Sequence, residues 1–298
     1  MDDMLVAILR SGTPLVYVTL AAAIAQRSGV WHLGLEGLMI ASAFAATLGT
    51  IATGSIWLGL LVAIATSLAG STLLWWVIER LRADPIIAGL GLSGLGLGGS
   101  SLALQAIYGS EATLASPVGL PRLGEGFGAF GVLSVAVAAL PLVIAALFVL
   151  QRRTRFGLGL QACGEHPFAA RSVGYSPSRM RLAALLIGGV LAAVAGTELA
   201  LGSLNVFAVG MSAGRGFMGF AAAIFGAAHP LGAAAAAFFF SFVEALGIRA
   251  QLILGDWVPG DLLLIVPYAV TVVGIWLSGW LRGGARASLQ GSSELKES

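Results

Sequence analysis

Charge is scarce in this sequence. Only 10% of its 298 residues are Asp, Glu, Lys or Arg, where a soluble domain carries roughly 25%. With 58% hydrophobic residues and a mean hydropathy of +0.94, a water-exposed fold is excluded, because its surface would be largely apolar. A single cysteine, Cys163, rules out an intrachain disulfide. The histidines, His32, His166 and His229, are scattered and lack His-Glu-x-x-His spacing, which argues against a zinc protease. No Gly-x-x-x-x-Gly-Lys-Ser/Thr run is present, so the chain does not bind ATP by that route. No paired nucleophile and base stands out, as an intramembrane enzyme would need. The formal net charge of +2 and pI of about 9.0 reflect arginines gathered on one membrane face, not a nucleic-acid footprint.

What the chain has in quantity is long apolar runs. A membrane-crossing helix takes about 20 such residues. Candidates are Met4–Ala25, Leu38–Thr53, Ile56–Ile78, Ile86–Ile107, Gly131–Leu150, Leu182–Ser203, Leu231–Ile248 and Leu262–Leu281, with a shorter ninth at Gly216–Ala228. The expected fold is all-α: a polytopic transmembrane bundle of about nine Gly/Ala-rich segments over residues 1–281. A polar, disordered, cytoplasmic tail over 282–298 completes it. Small residues let helices approach closely in lipid. The glycine density of Gly89–Gly99 predicts a broken helix there. Arg152, Arg153, Arg155, Arg171, Arg179 and Arg181 crowd the loop 151–181. The positive-inside rule puts that loop in the cytoplasm, the N-terminus outside and the C-terminus inside.

Three stretches invite a functional reading. In Gly164-Glu-His-Pro-Phe-Ala-Ala-Arg-Ser-Val-Gly174, the proline and glycine punctuate a short helix over Pro167–Val173, with Ser176 capping the next helix. It is either a rigid knob for a cytoplasmic partner or an amphipathic helix lying on lipid. In Gly34-Leu-Glu-Gly37, preceded by His32, Glu36 opens an apolar span. It either shapes the transport path or is satisfied by backbone amides at a helix start. In Gly214-Arg-Gly216 through His229-Pro230, a short span between glycines and a proline reads as a kinked element near a pore or as a tight connection. Glu198 and Glu244 sit inside apolar spans, as path residues or as polar links between helices.

Together these three stretches resemble the inner-membrane permeases of ABC importers, in the simple-sugar and nucleoside branch of the family that also holds ribose-type and branched-chain amino acid permeases. The resemblance runs from about residue 5 to 280. It implies an ABC type II importer-like permease in the cell inner membrane that carries a nucleoside or simple-sugar-like solute. Branched-chain amino acid uptake is the alternative within the family, and a self-sufficient secondary transporter the alternative outside it. It further implies that the chain binds no cofactor, ATP and Mg being used by a separate cytoplasmic ABC ATPase. A second permease chain, often a paralogue, and an extracytoplasmic substrate-binding lipoprotein complete the assembly. The loop helix becomes the element that couples to the ATPase, through Gly164, Glu165, His166, Pro167, Ala170, Arg171 and Gly174. His32, Glu36, Glu198, Arg215, His229 and Glu244 are the expected path or gate residues. Members of the family usually carry asparagine where this chain has His32, His166 and His229.

Overall fold

The computed structural model describes residues 2–109, 113–124, 130–202 and 205–254. The expected span Leu262–Leu281 and the tail 282–298 lie outside them. The chain divides into two units, Met1–Ser241 and Phe242–Ser298.

The first unit is a helical bundle. Its long helices are α1 (Asp2–Arg27), α2 (Leu35–Thr53), α3 (Ile56–Arg80), α4 (Pro85–Tyr108), α5 (Val135–Arg153) and α8 (Pro177–Thr197). α10 (Pro230–Leu254) starts in this unit, and its residues from Phe242 on belong to the second. Among the described residues seven helices are long and apolar enough to cross a membrane. Two short strands, β1 (Thr113–Ala115) and β2 (Val206–Ala208), pair antiparallel with Leu114 opposite Phe207. Both strands fall between the expected spans.

Helix boundaries follow local chemistry. Asp84 caps α4, accepting hydrogen bonds from the Ile86 and Ile87 amides, with Pro85 as the first helical residue. The α2–α3 connection is two residues long because Gly54 adopts φ +69° and lets the chain reverse at once. α1 and α2 are mostly buried, whereas α3, α4 and α5 present apolar side chains outward. That distribution marks the latter three as faces for lipid or another chain.

The predicted break in the glycine-rich span is absent: α4 runs without interruption. Its glycines serve close approach instead. A Cβ on Gly37 of α2 would lie 2.6 Å from Ser93 Cα of α4, and one on Gly96 would strike the Gly37 backbone. The Ser93 hydroxyl donates to Leu33 O at 2.8 Å across the same seam. Gly91, Gly94, Gly98 and Gly99 face away, with nothing among the described residues within 4 Å of an added Cβ.

The discontinuity lies elsewhere. α8 ends in a π turn, Glu198–Gly202, and β2 follows. The chain resumes as α9 (Arg215–Phe225), only 11 residues long. β2 pairs with the strand that follows α4, while Ala228 O accepts from Arg27 Nε at the far end of α1. The chain between Val206 and His229 thus passes from one end of the bundle to the other, partly as non-helical backbone. Such backbone is tolerable at membrane depth only when protein surrounds and satisfies it.

Candidate functional site

That condition is met by Glu36. It is buried to 3% exposure in the first turn of α2. Its Oε1 accepts from the Ser212 hydroxyl and, at 3.1 Å, from the Gly214 amide; its Oε2 accepts from the Gly216 amide at 2.6 Å. These donors sit at the start of α9, where amides lack helical partners and the helix dipole is positive. The carboxylate therefore caps a different helix from its own. Gly214 turns the chain with φ +79°. Gly216 must be glycine for contact, since a Cβ there would lie 2.5 Å from Glu36 Cα. Arg215 projects between these two glycines, and its Nη1 donates to Met211 O at 3.5 Å. Of the two readings of Glu36, backbone amides do satisfy it, and they belong to the start of α9 and not to Glu36's own helix.

His32 lies nearby in the chain, fully buried, and among the described residues neither ring nitrogen has a hydrogen-bond partner. Burial alone pushes its pKa down to about 3, so the ring is neutral. At the other end of α9, His229 Nε2 accepts from Arg152 Nε at 3.2 Å, and the ring meets Phe148 edge-on. Burial, then the Arg152 and Arg27 charges, lower its pKa. An imidazole accepting from a guanidinium must be the neutral form.

Glu198 stands apart from this cluster. Buried in the π turn, it accepts from the Ser134 hydroxyl at 2.6 Å. Ser134 in turn accepts the Val137 amide as N-cap of α5. Glu198 thus ties the end of α8 to the start of α5. Glu244 lies on α10 in the second unit.

The loop 151–181 forms α6 (Arg155–Glu165) and α7 (Pro167–Ser172). Gly164 packs on the turn after α1: a Cβ on Gly29 would lie 3.2 Å from Gly164 Cα. The end of α7 is a Schellman motif, with Gly174 N–H donating to Arg171 O and Tyr175 N–H to Ala170 O, each at 3.0 Å. Gly174 supplies the φ of +90°. Ser176 occupies the N-cap of α8, but its side chain makes no capping bond. Glu165 ends α6 and accepts from Gln161 Nε2 at 2.7 Å. The large outward side chains of α7 are Phe168, 81% exposed, and Arg171, stacked 5.9 Å over the Phe168 ring. Ala170, expected at a partner surface, is instead buried at 2% exposure against its own chain.

Sequence reasoning therefore named Glu36, Arg215 and its flanking glycines but missed Ser212, and named His229 and Arg152 without pairing them. The alternation Ser212-x-Gly214-x-Gly216 was the available signal, since small residues leave amides open to an acceptor.

A family model described as "Branched-chain amino acid transport system / permease component" matches residues 4–274. The chain belongs to this permease family. Two relatives are permeases of the same kind. The guanosine ABC transporter permease protein NupQ of Bacillus subtilis is 32% identical, covering 90% of this chain and 89% of its own. The nucleoside ABC transporter permease protein NupC of Lactococcus lactis is 30% identical, with 88% and 87% covered. In fold, the permease matches a chain of an inward-facing ABC transporter structure of the metal-chelate type, with a TM-score of 0.52 at 16% identity over 92% of this chain and 85% of that one. The protein is thus a multi-pass membrane permease subunit of an ABC importer, a predominantly helical transport component. ATP hydrolysis belongs to a separate chain, and a substrate-binding protein completes the importer. Membership of the family replaces the self-sufficient secondary transporter as a reading.

Proposed function

We propose that this permease carries a nucleoside across the inner membrane, with loop 151–181 and the C-terminus in the cytoplasm and the N-terminus outside. The single observation behind the solute is that guanosine and nucleoside permeases align over nearly the whole chain at 30% identity or more. Arginine placement supports the orientation.

In this reading Glu36 and the start of α9 form a clasp that holds the partly non-helical stretch 206–229 beside the solute path. ATP binding by the partner favours one of two bundle arrangements, and the clasp carries α9 as a unit between them. α7 receives the ATPase motion. Gly164, Glu165, His166, Pro167 and Gly174 set its position, while Phe168 and Arg171 supply the contact. The open glycine face of α4 supports a second permease chain packing closely there, as small-residue faces do in membranes. The substrate-binding partner is then a lipoprotein on the outer side.

Uptake of labelled guanosine, uridine, leucine and glucose decides the solute, measured in cells expressing this chain with its ATPase, second permease and binding protein. Nucleoside uptake competed by unlabelled nucleoside but not by leucine or glucose is expected. Uptake of leucine alone moves the protein to the amino acid side of its family.

A further inference from the structure

We propose that this chain holds an anionic phospholipid at the end of the bundle that carries β1 and β2, with one acyl chain in a cavity between α1, α3, α5 and α8 and its phosphate at Arg122.

The cavity measures about 260 Å³ and is lined by Tyr17, Trp57, Ala139, Val143, Val190 and Val194 among others. Its two side-chain hydroxyls are already committed. Tyr17 donates to Ala136 O and Thr197 to Ala193 O, each at 2.8 Å. A polar solute entering here would shed its water and find, among the lining side chains, only the Trp57 indole N–H to replace it, which opposes its binding. The cavity is also below the roughly 300–1,000 Å³ of ordinary small-molecule pockets. A single hydrocarbon chain needs neither the volume nor the polar partners.

The surroundings say which hydrocarbon is at hand. α3 and α5 are among the helices that turn apolar side chains outward, so lipid tails have direct access. Trp57, in the first turn of α3, is 55% exposed. An exposed tryptophan at a span end marks headgroup depth. The exposed Arg122 follows Leu120 of the lining by two residues, and its backbone bridges to Ser134, the neighbour of Val135 in the lining. A cation at that depth, beside an apolar slot, complements a phosphate over an acyl chain. The proposal uses only the membrane-spanning fold and is independent of the transported solute.

The test uses the intact permease in nanodiscs of phosphatidylcholine with trace phosphatidylglycerol that bears a photoreactive diazirine on one acyl chain. Wild type, Ala139→Phe and Arg122→Gln are irradiated, and the labelled peptides mapped. In wild type the label concentrates on peptides holding Val143 and Val190. Ala139→Phe fills the slot and removes that label while labelling of α4 persists. Arg122→Gln lowers the preference for phosphatidylglycerol over an equally labelled phosphatidylcholine about fivefold, the equivalent of ~1 kcal/mol for one cation near a headgroup. Label spread evenly over α3, α4 and α5 in wild type overturns the proposal. So does unchanged labelling in a folded Ala139→Phe. If Ala139→Phe fails to fold, the exposed loop variant Arg122→Gln decides, and an unchanged lipid preference there overturns the phosphate assignment.

Discussion

Replacing Glu36 tests the centre of the structural argument. Three donors converge on its carboxylate, two of them backbone amides that open α9. Glu36→Ala leaves all three without an acceptor in a buried site. Each orphaned buried donor costs about 1–3 kcal/mol, so the loss is about 3–9 kcal/mol. That rivals the whole stability of many domains, about 5–15 kcal/mol. Glu36→Gln keeps the shape and one acceptor oxygen but turns an NH₂ toward donors. It orphans about one amide and removes the charge from the helix start, for roughly 2–4 kcal/mol in total. At about 2–4 °C per kcal/mol for a chain of this size, the glutamine variant melts about 5–15 °C lower, and the alanine variant yields little folded protein. The assay is thermal unfolding of the purified permease in detergent, followed by size-exclusion fluorescence, beside solute uptake in cells. An alanine variant that melts with wild type would refute the reasoning, because buried amides at the start of α9 would then be finding acceptors elsewhere. Loss of uptake with unchanged melting would mean that the carboxylate serves the path and not the packing.

Other consequences can be measured in the same preparations. Gly96→Val meets the Gly37 backbone and should lower stability by about 1–3 kcal/mol, whereas Gly94→Val on the open face of α4 should leave the melting temperature of the isolated chain unchanged; equal melting of the two would dissolve the close α2–α4 seam. Phe168→Asp should weaken co-purification of the ATPase by about 30-fold, as loss of a 2 kcal/mol anchor does, with normal melting, while Ala170→Glu should lower melting itself because Ala170 is buried; the reverse pattern would displace Phe168 as the contact. His32 protonates near pH 3 in the folded chain but near 6.5 once unfolded. Its neutral burial therefore contributes stability that is present above pH 6.5 and lost as pH falls from 6.5 toward 3, because the unfolded chain takes up the proton first. Melting against pH should be steeper over that window in wild type than in His32→Asn, and identical slopes would remove His32 as the cause.

Apolar runs and punctuation were readable because they are local. Pro167 and Gly174 bound α7 in the sequence and in the structure alike, since a fixed φ and a left-handed residue act on their own neighbours. The break in the bundle was not readable in the same way. Glycine density pointed at α4, yet the glycines there split between contact with α2 and an open face, and the helix continues. Glycine in lipid has two uses, a bend or a close approach, and only the neighbour across the seam decides which. The same limit applies to the site. The stretches around Glu36, Gly164 and Arg215 were each visible, but their meeting was not. Gly164 packs against Gly29, Glu36 receives the amides of Gly214 and Gly216, Trp31 meets Phe220, and Arg27 reaches Ala228. All four contacts converge on residues 27–36, a turn carrying one buried carboxylate and one buried imidazole with no hydrogen-bond partner among the described residues. A turn gripped by both the end of α6 and the start of α9 cannot shift without moving both. Under the proposed coupling role, residues 27–36 are the joint that links α6, the helix leading into α7, to the start of α9.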